Sequence, residues 1–411
     1  VEEVDPAAFV HGGTSGENWL QRLTVSEYVQ SVQAAVGVSI QEKAQSLLPR
    51  DLRADGFSNT AYNLNVDLKH VSAYAQLAEL IVNKMDVIAF AAQFSKSQLL
   101  TDDSMRGLIE EMGAWILRGP IDDHEITLYR GISTTVAAAG GTFPDAVRLI
   151  VDAMLQSPRF IYRMENQKGD GTRWPVGEHE LAARISYILW GAPPDKALAK
   201  AAKSGELFTP EGLEKEIKRM LADSRAIERS RQFISEWLNL NRLSNLKPNS
   251  KKFPKWQPEL AADMQNETLE FFEDLTWKQQ RPLADLFNAQ FTYASSRLAT
   301  HYDLKETSSD SKRYDLTAHP GRGGILTQGS TLTVGGDEAS MVARGLFVLH
   351  DLLRGVVNDP PPCVDTNPPA TKAGVTQRAI AEERVANAQC GGCHKKFEPL
   401  AYGLEKFDGI G

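Results

Sequence analysis

Apolar residues recur mostly at intervals of three and four along this chain, and strand-like alternation is scarce. Such spacing is typical of amphipathic helices, which bury one face and expose the other. The pattern is clearest over 210–240 and 257–278, where we predict long helices. Thr209 can cap the first of these helices, with Pro210 in its first turn. We therefore predict a mainly α fold, a large helical body.

Glycine-rich and proline-rich stretches interrupt the helical pattern. "KGDGTRWP" (168–175) and "HPGRGGILTQGSTLTVGGDE" (319–338) read as turns. In the second, "ILT" and "TLTV" are β-prone and separated by "QGS", so a short hairpin can form there. "NDPPPCVDTNPPATKAG" (358–374) holds five prolines, which favour an extended linker.

These stretches divide the chain into four predicted regions: an N-terminal helical region (1–150), a central helical body with a glycine-rich turn (151–357), the linker (358–374) and a small C-terminal segment (375–411). A segment of about 40 residues is marginal as an independent domain. We therefore expect a cofactor bound there to lie also against the helical body or a partner chain.

Composition narrows the class of protein. The 411 residues are 42% hydrophobic and 24% charged, with a formal net charge of −8, which indicates a soluble globular chain and argues against a nucleic-acid partner. No apolar run is long enough to span a bilayer. The start "VEEVDPAAF" lacks the basic and apolar parts of a signal peptide, so any export signal has been removed or left out.

The most specific motif is Cys390-Gly-Gly-Cys393-His394. Cys-x-x-Cys-His is a c-type haem attachment site. Its two thiols add to the haem vinyl groups, and the histidine becomes the proximal iron ligand. The glycines would let the turn lie close to the porphyrin edge. We predict one covalently bound haem c, with Cys390, Cys393 and His394 as cofactor-binding residues.

Chance, a zinc site and a redox dithiol are the alternatives to a haem at this motif. Chance gives the arrangement in roughly three of ten thousand sequences of this composition. A structural zinc ion wants four ligands, and only Cys363, across the linker, offers another thiolate. A redox dithiol of the thioredoxin type needs a βαβ setting, which the C-terminal segment lacks. Cys363 itself has no predicted role.

Several further motifs run along the whole chain: "QRLTVSEYVQSV" (21–32), "SPRFIYRMEN" (157–166), "LAARISYILWGAPPDKAL" (181–198), "QFTYASSRLATHYDL" (290–304), "GRGGILTQGSTLT" with "RGLFVLHDLL", and "CGGCHKKFEPLAYGLEKFDGIG". Together they resemble the planctomycete-type cytochrome c multidomain family. The resemblance implies an exported, predominantly helical bacterial haem protein in redox work, periplasmic or extracellular, and no particular substrate.

The chain departs from that family at two places. Many relatives carry a histidine six residues before the first haem cysteine, where this chain has Arg384, so no role of that histidine carries over. Relatives also continue past the Phe-Asp-x-x-Gly run, whereas this sequence ends at Gly411, so the haem module is expected to be truncated here.

No Met or His follows His394, so the sixth iron ligand is expected from upstream in the chain, from a missing C-terminal part or from another chain. Met341 is the first candidate, because it stands between a glycine-rich turn and a predicted helix just before the linker. His319, beside the other glycine turn, is the runner-up. The alternative for Met341 is ordinary apolar packing at the start of a helix, and an open coordination site is a further alternative.

Three functions remain open on these residues. The first is electron transfer by a single haem c docked on the helical body, with a redox partner protein. The second is a haem-dependent oxidoreductase, peroxidase-like or a substrate dehydrogenase. The third is a binding or scaffold subunit of a larger complex. The size of the body leaves room for the second, but no motif resembles an organic active site, so whether the protein is an enzyme stays open.

One acidic cluster has a structural explanation. "PIDDHE" (120–125) gathers carboxylates and a histidine, as a metal or acid-base site would. Asp122 and Glu125 also have the spacing of a helix capping box, and acidic residues belong in a first helical turn. We predict a capping box there.

Overall fold

The computed structural model describes residues 19–54, 56–165, 176–305, 310–358 and 374–411. Helices dominate these residues, and the four strands that they contain form two separate antiparallel pairs. The predicted mainly α fold is confirmed. The chain forms two compact units, Val1–Arg229 and Ser230–Gly411, and the C-terminal segment belongs to the second. The four-region division stays a prediction.

In the first unit, residues between Leu23 and Tyr187 form one apolar core, in which Ile81, Ile150 and Met154 are fully buried. Strand β1 (Trp19–Arg22) pairs antiparallel with β2 (Tyr162–Glu165). Its helices are α1 (Val25–Val36), α2 (Gln41–Leu47), α3 (Leu68–Lys84), α4 (Val87–Ala91), α5 (Asp102–Ile116), α6 (Asp123–Ala138), α7 (Phe143–Leu155), α8 (Pro158–Ile161), α9 (Glu178–Leu189), α10 (Lys196–Lys203) and α11 (Pro210–Leu221). Helix α12 (Ser224–Trp237) begins in this unit and ends in the second.

The acidic cluster at 120–125 starts helix α6. Asp122 Oδ1 accepts the backbone N–H of Glu125 at 2.8 Å, and Glu125 Oε2 accepts the backbone N–H of Asp122 at 3.1 Å. These reciprocal bonds satisfy donors that a helix start leaves unpaired. The predicted capping box is confirmed.

The single helix predicted over 210–240 is wrong, because the chain breaks it between α11 and α12. The carboxylate of Asp223 accepts from the backbone N–H of Arg225 at 3.0 Å and from its guanidinium, which lowers the pKa of Asp223 to about 2. The indole N–H of Trp190 donates to the carbonyl of Met220 at 3.0 Å. These side chains satisfy backbone groups that a continuous helix would have paired.

The second unit is built on α13 (Pro258–Glu273), which continues as a π-helical turn to Lys278 and confirms the predicted 257–278 helix. It packs against β3 (Phe291–Ala294), which pairs antiparallel with β4 (Lys312–Asp315). The remaining helices are α14 (Ser296–His301), α15 (Gly329–Leu332), α16 (Met341–Leu346), α17 (Gln377–Ala386) and α18 (Gly391–His394). A π-helical turn, Phe347–Leu352, extends α16. Within the described residues, no helix has the length and apolar character needed to cross a membrane.

The short hairpin predicted within 319–338 does not form. "ILT" is a 3-10 turn, and "TLTV" begins inside α15 and ends in a second 3-10 turn. The hydroxyl of Thr333 donates to the carbonyl of Gly329 at 2.8 Å, a helical contact, and Gly329 packs so closely that a Cβ there would lie 2.7 Å from Met264. Tertiary packing therefore overrides the local β preference of these residues.

Candidate functional site

The Cys-Gly-Gly-Cys-His sequence forms one compact helical turn, which we call the cysteine turn (390–394). The side chain of Asn387 accepts the backbone N–H of Cys390 at 3.1 Å and so fixes the start of the turn. The carbonyl of Cys390 accepts the N–H groups of Cys393 and His394 at 3.2 and 3.1 Å. Both cysteines are half-buried and in no disulfide. The turn therefore presents two thiols and an imidazole from neighbouring positions.

The two glycines of the turn have different reasons to be there. A Cβ on Gly391 would lie 2.2 Å from the carbonyl oxygen of Val385, so only glycine allows this contact with the end of α17. Gly392 is exposed, and a Cβ there would meet nothing within 4 Å. Gly391 therefore allows close packing within the segment, whereas Gly392 lies on the exposed side of the turn.

The imidazole of His394 has a carboxylate behind it. Its Nδ1 lies 3.1 Å from Oε1 of Glu398, a residue with no exposed surface. The guanidinium of Arg384 approaches the same oxygen, with Nε at 2.8 Å and Nη2 at 2.6 Å. Because Nδ1 faces Glu398, the other ring nitrogen, Nε2, is left to bind a metal.

The main chain around Glu398 rests directly on helix α16. A Cβ on Gly345 would lie 2.3 Å from the carbonyl oxygen of Phe397 and 3.2 Å from Cα of Glu398. Phe397 is buried, and its ring centre lies 5.0 Å from that of His394. Glycine at 345 therefore allows the backbone that carries Glu398 to lie against the helix.

Arg344, next to that glycine, holds the end of the C-terminal segment. It is almost fully buried, and its guanidinium donates to the carbonyls of Leu404 at 3.0 Å, Phe407 at 3.0 Å and Asp408 at 2.5 Å. It also donates to the carbonyl of Leu332 at 3.0 Å. Burial lowers the pKa of Arg344 to about 10, so the side chain is cationic at neutral pH. We call this set of bonds the Arg344 clamp.

A second arginine supports the same run of chain. The guanidinium of Arg322 lies 3.7 Å from the ring centre of Tyr302 and 5.0 Å from that of Phe407. His301 places Nε2 at 3.0 Å from the carbonyl oxygen of Ile410, and burial lowers the pKa of His301. The C-terminal segment is therefore packed against residues before the linker as well as within itself.

The hydroxyl of Tyr302 contacts a buried carboxyl group, that of Glu267. The hydroxyls of Thr292 and Tyr302 donate to Glu267 at 2.5 and 2.6 Å. Burial raises the pKa of Glu267 to about 7. Glu267 and Gln328 line a cavity of about 10 Å³. The Nε2 of Gln328 has no hydrogen-bond partner among the described residues. A cavity of this size has room for about one water molecule.

The two candidate sixth ligands lie in different surroundings. Met341 is buried, with 1% of its surface exposed, and packs with Ala381 and Ala401 of the C-terminal segment. His319 lies on an exposed turn after β4. Cys363, which has no predicted role, lies outside the described residues. Met341 is thus in the contact that joins α16 to the C-terminal segment.

Three residues of this site are not predicted from the sequence. Glu398 stands four positions after His394, a spacing that places two side chains on one helical face and could have indicated the contact. Arg384 stands out in the sequence only as a departure from relatives. Arg344 gives no local signal, because its partners in the C-terminal segment lie 60 to 64 positions away in sequence.

These residues fit a haem c. Two thiols without a disulfide stand at the required spacing, one imidazole nitrogen is oriented by a carboxylate, and the outer side of the turn at Gly392 is open. Zinc is less well provided for: in the described part of the chain, no three His, Cys, Asp or Glu side chains are grouped so as to hold a metal ion.

Four family models match the chain: PSD3, protein of unknown function (DUF1587), over 21–87; PSD5, protein of unknown function (DUF1595), over 104–165; PSD4, protein of unknown function (DUF1592), over 176–304; and PSCyt3, protein of unknown function (DUF1588), over 322–411. The last region contains the cysteine turn and the Arg344 clamp. No curated protein and no solved structure matches the chain. With these four regions in this order, the chain belongs to the planctomycete-type cytochrome c multidomain family.

Proposed function

We propose that the protein is an exported monohaem c-type cytochrome that takes part in electron transfer. Cys390 and Cys393 would form the two thioether bonds, and His394 would bind the iron through Nε2. The observation that carries this proposal is the orientation of His394: its Nδ1 is 3.1 Å from a buried carboxylate on the same turn as the two thiols. A haem bound there supplies one-electron chemistry at its iron.

The protein's own residues would attach, orient and support that group. Glu398 orients the imidazole, and buried Phe397 packs beside it. The Arg344 clamp fixes the end of the C-terminal segment against the helical body. Because a segment of about 40 residues cannot enclose a porphyrin, the body completes the haem environment.

Haem attachment is tested by thiol substitution in a host with haem c maturation. Cys390→Ala and Cys393→Ala should each leave a single thioether bond, which a pyridine haemochrome spectrum reports as a red-shifted band. The double variant should carry no covalent haem. Cys363→Ser is the matched control and should keep the spectrum of the unaltered protein. An unaltered protein without covalent haem would overturn the proposal and favour the scaffold function.

Localisation and partner follow from the same chemistry. Haem c is attached outside the bacterial cytoplasm, so we propose a periplasmic or extracellular protein, with a redox partner protein that exchanges electrons with the haem. Expression in the cytoplasm without maturation machinery should give apo or misfolded protein. Full covalent loading under those conditions would contradict the proposed compartment.

For the sixth iron ligand we propose Met341 first and His319 second. Burial of Met341 against the C-terminal segment supports the order, since His319 is exposed. Thioether ligation raises the reduction potential relative to a bis-histidine haem and gives the ferric protein a weak sulfur-to-iron band. Met341→Ala should remove that band and lower the potential. Unchanged values would exclude Met341, and His319→Ala would then decide between the histidine and an open site.

A haem-dependent oxidoreductase is the second candidate. The observation that favours it is the carboxylate behind His394, because an anionic partner increases the electron donation of an iron-bound imidazole. The ferric spectrum separates the two functions. A six-coordinate low-spin haem is expected for electron transfer, whereas a high-spin haem that binds cyanide or peroxide would favour catalysis.

A further inference from the structure

The pair formed by Arg384 and Glu398 lies directly behind the candidate iron ligand. Glu398 is completely buried, and the side chain of Arg384 is 18% exposed. Removing such a pair from water is costly and is compensated only by good geometry and further hydrogen bonds. The imidazole of His394 also contacts this pair, with Nδ1 3.1 Å from Oε1 of Glu398.

One oxygen of Glu398 receives all the hydrogen bonds that the structure describes for this carboxylate. An arginine frequently binds a carboxylate with two nitrogens on two oxygens, although in this chain Arg219 also places two nitrogens on one oxygen of Glu216. Here Nε and Nη2 of Arg384 both approach Oε1 of Glu398, the same oxygen that faces His394. The other oxygen, Oε2, has no hydrogen-bond partner in the part of the chain that the structure describes. The interactions of the carboxylate are thus concentrated on the side of the histidine.

Packing keeps that oxygen in place. The backbone at Phe397 and Glu398 lies against Gly345 of α16, with no room for a side chain between them. Phe397 packs beside the imidazole on one flank. The backbone that carries the carboxylate therefore lies against a helix outside the C-terminal segment.

We infer that Glu398 is a positioning residue for the haem iron: it accepts the Nδ1–H of His394, fixes the ring with Nε2 toward the iron, and lowers the reduction potential. A carboxylate on Nδ1 makes the imidazole a stronger donor, which stabilises ferric over ferrous iron. Arg384 holds the carboxylate and limits the effect by sharing its charge. The inference rests on the proposed function, since it concerns a haem attached at Cys390 and Cys393.

The test compares Glu398→Gln with Glu382→Gln in the haem-loaded full chain. Both remove one negative charge from the C-terminal segment. Glu382 is about half exposed on α17 and pairs with Arg378 at 2.9 Å, without a contact to His394. We expect Glu398→Gln to raise the reduction potential several-fold more than Glu382→Gln, with covalent haem and the helical circular dichroism retained. Equal shifts in the two variants would overturn the inference.

A conservative variant and a measurement on the unaltered protein complete the test. Glu398→Asp restores the negative charge and should bring the potential back toward the original value, whereas a purely structural pair predicts no such return. If Glu398→Gln does not accumulate with haem, ¹⁵N-histidine labelling of the unaltered ferrous protein decides. The Nδ1–H of His394 should be present and protected from solvent exchange, and rapid exchange would refute the inference.

The two proposals fail in different ways. A protein without covalent haem overturns the proposed function. A haem-loaded protein in which Glu398→Gln and Glu382→Gln shift the potential equally overturns only the role of Glu398.

Discussion

The cysteine turn (390–394) is held by hydrogen bonds between residues a few positions apart, whereas the segment behind it is held by residues far away in sequence. Asn387 and the carbonyl of Cys390 organise the turn. Arg344 and Gly345 hold the chain beyond the turn, and the partners of Arg344 at 404, 407 and 408 lie 60, 63 and 64 positions away. The chemistry of the site is therefore specified locally, but its attachment to the body is specified by the fold, and the two should be separable by mutation.

The largest expected effect comes from removing the body altogether. Residues 375–411 expressed alone retain the cysteine turn but lose Arg344 and Arg322. We expect them not to hold haem in the environment seen in the full chain, because so short a segment cannot shield a porphyrin. The visible spectrum and reduction potential of haem-loaded fragment and full chain provide the comparison. A well-folded fragment with the full-chain spectrum would show that the distant support is dispensable.

Arg344→Met should detach the end of the segment within the full chain. The change leaves four backbone carbonyls without their buried donor, and we expect a loss of about 4 kcal/mol in the free energy of unfolding. Denaturant unfolding followed by circular dichroism measures it. Arg378→Met is the control: Arg378 is half exposed over the ring of Tyr402, so its loss should cost less than about 1 kcal/mol. Similar losses in both variants would argue against the clamp.

Arg384→Gln tests an interaction within the C-terminal segment itself, the pair of Arg384 with Glu398. It removes the counter-ion of fully buried Glu398, and breaking a buried pair from one side costs about 3 kcal/mol. Thermal and denaturant unfolding report the loss. The double variant Arg384→Gln, Glu398→Gln should regain part of it, because no buried charge then remains. A double variant as unstable as the sum of the two single variants would contradict this coupling.

The buried carboxyl of Glu267 makes the free energy of unfolding depend on pH. Its pKa is about 7 in the folded protein, against an ordinary value of 4.5. The folded state keeps the proton of Glu267 up to a higher pH than the unfolded state does. The contribution of Glu267 to stability is therefore fully present below pH 4.5 and is lost as the pH rises through about 7. The total is about 3 kcal/mol.

The measurement is the free energy of unfolding as a function of pH for the unaltered protein and Glu267→Gln. His301, whose pKa is lowered by burial, acts in the opposite sense over part of this range, so the difference between the two proteins is the informative quantity. It should favour the unaltered protein most at low pH and shrink as the pH rises toward 8. A difference that is constant with pH would refute the assignment.

Gly345→Ala should weaken the close contact between α16 and the backbone at Phe397. A Cβ there would lie 2.3 Å from a carbonyl oxygen, and we expect a loss of about 2 kcal/mol through overpacking. Gly403→Ala is the control, because a Cβ at that exposed glycine meets nothing within 4 Å. If Glu398 is displaced together with Phe397, the reduction potential of Gly345→Ala should also rise. An unchanged potential would mean that the carboxylate is held from within the segment.

Much of the helical fold could be predicted from the sequence, since helical spacing and caps are local signals. The 257–278 helix and the Asp122 capping box follow from such signals. The break at Asp223 could not be predicted, because it depends on Trp190 and on side-chain bonds to the backbone. The hairpin predicted over 325–334 fails for the same reason: packing of Gly329 on Met264 outweighs the preference of a few β-prone residues.

The candidate site also contains residues that the sequence indicates locally and residues that only the fold brings together. Cys390, Cys393 and His394 are adjacent in sequence and carry their chemistry in their spacing. Glu398 lies one helical turn further and was within reach of the same reasoning. Arg344 was not, because a guanidinium that binds main-chain carbonyls leaves no mark in the sequence of its partners.

That last property of the Arg344 clamp bears on how the C-terminal segment can change. The hydrogen bonds of the clamp to this segment go to the carbonyl oxygens of Leu404, Phe407 and Asp408, and the negative charge of Asp408 also attracts the guanidinium. These three hydrogen bonds depend on the path of the backbone. Substitutions at 404, 407 and 408 that keep the same bend of the chain should therefore leave these three hydrogen bonds in place, whereas a residue that changes the bend should lose them together.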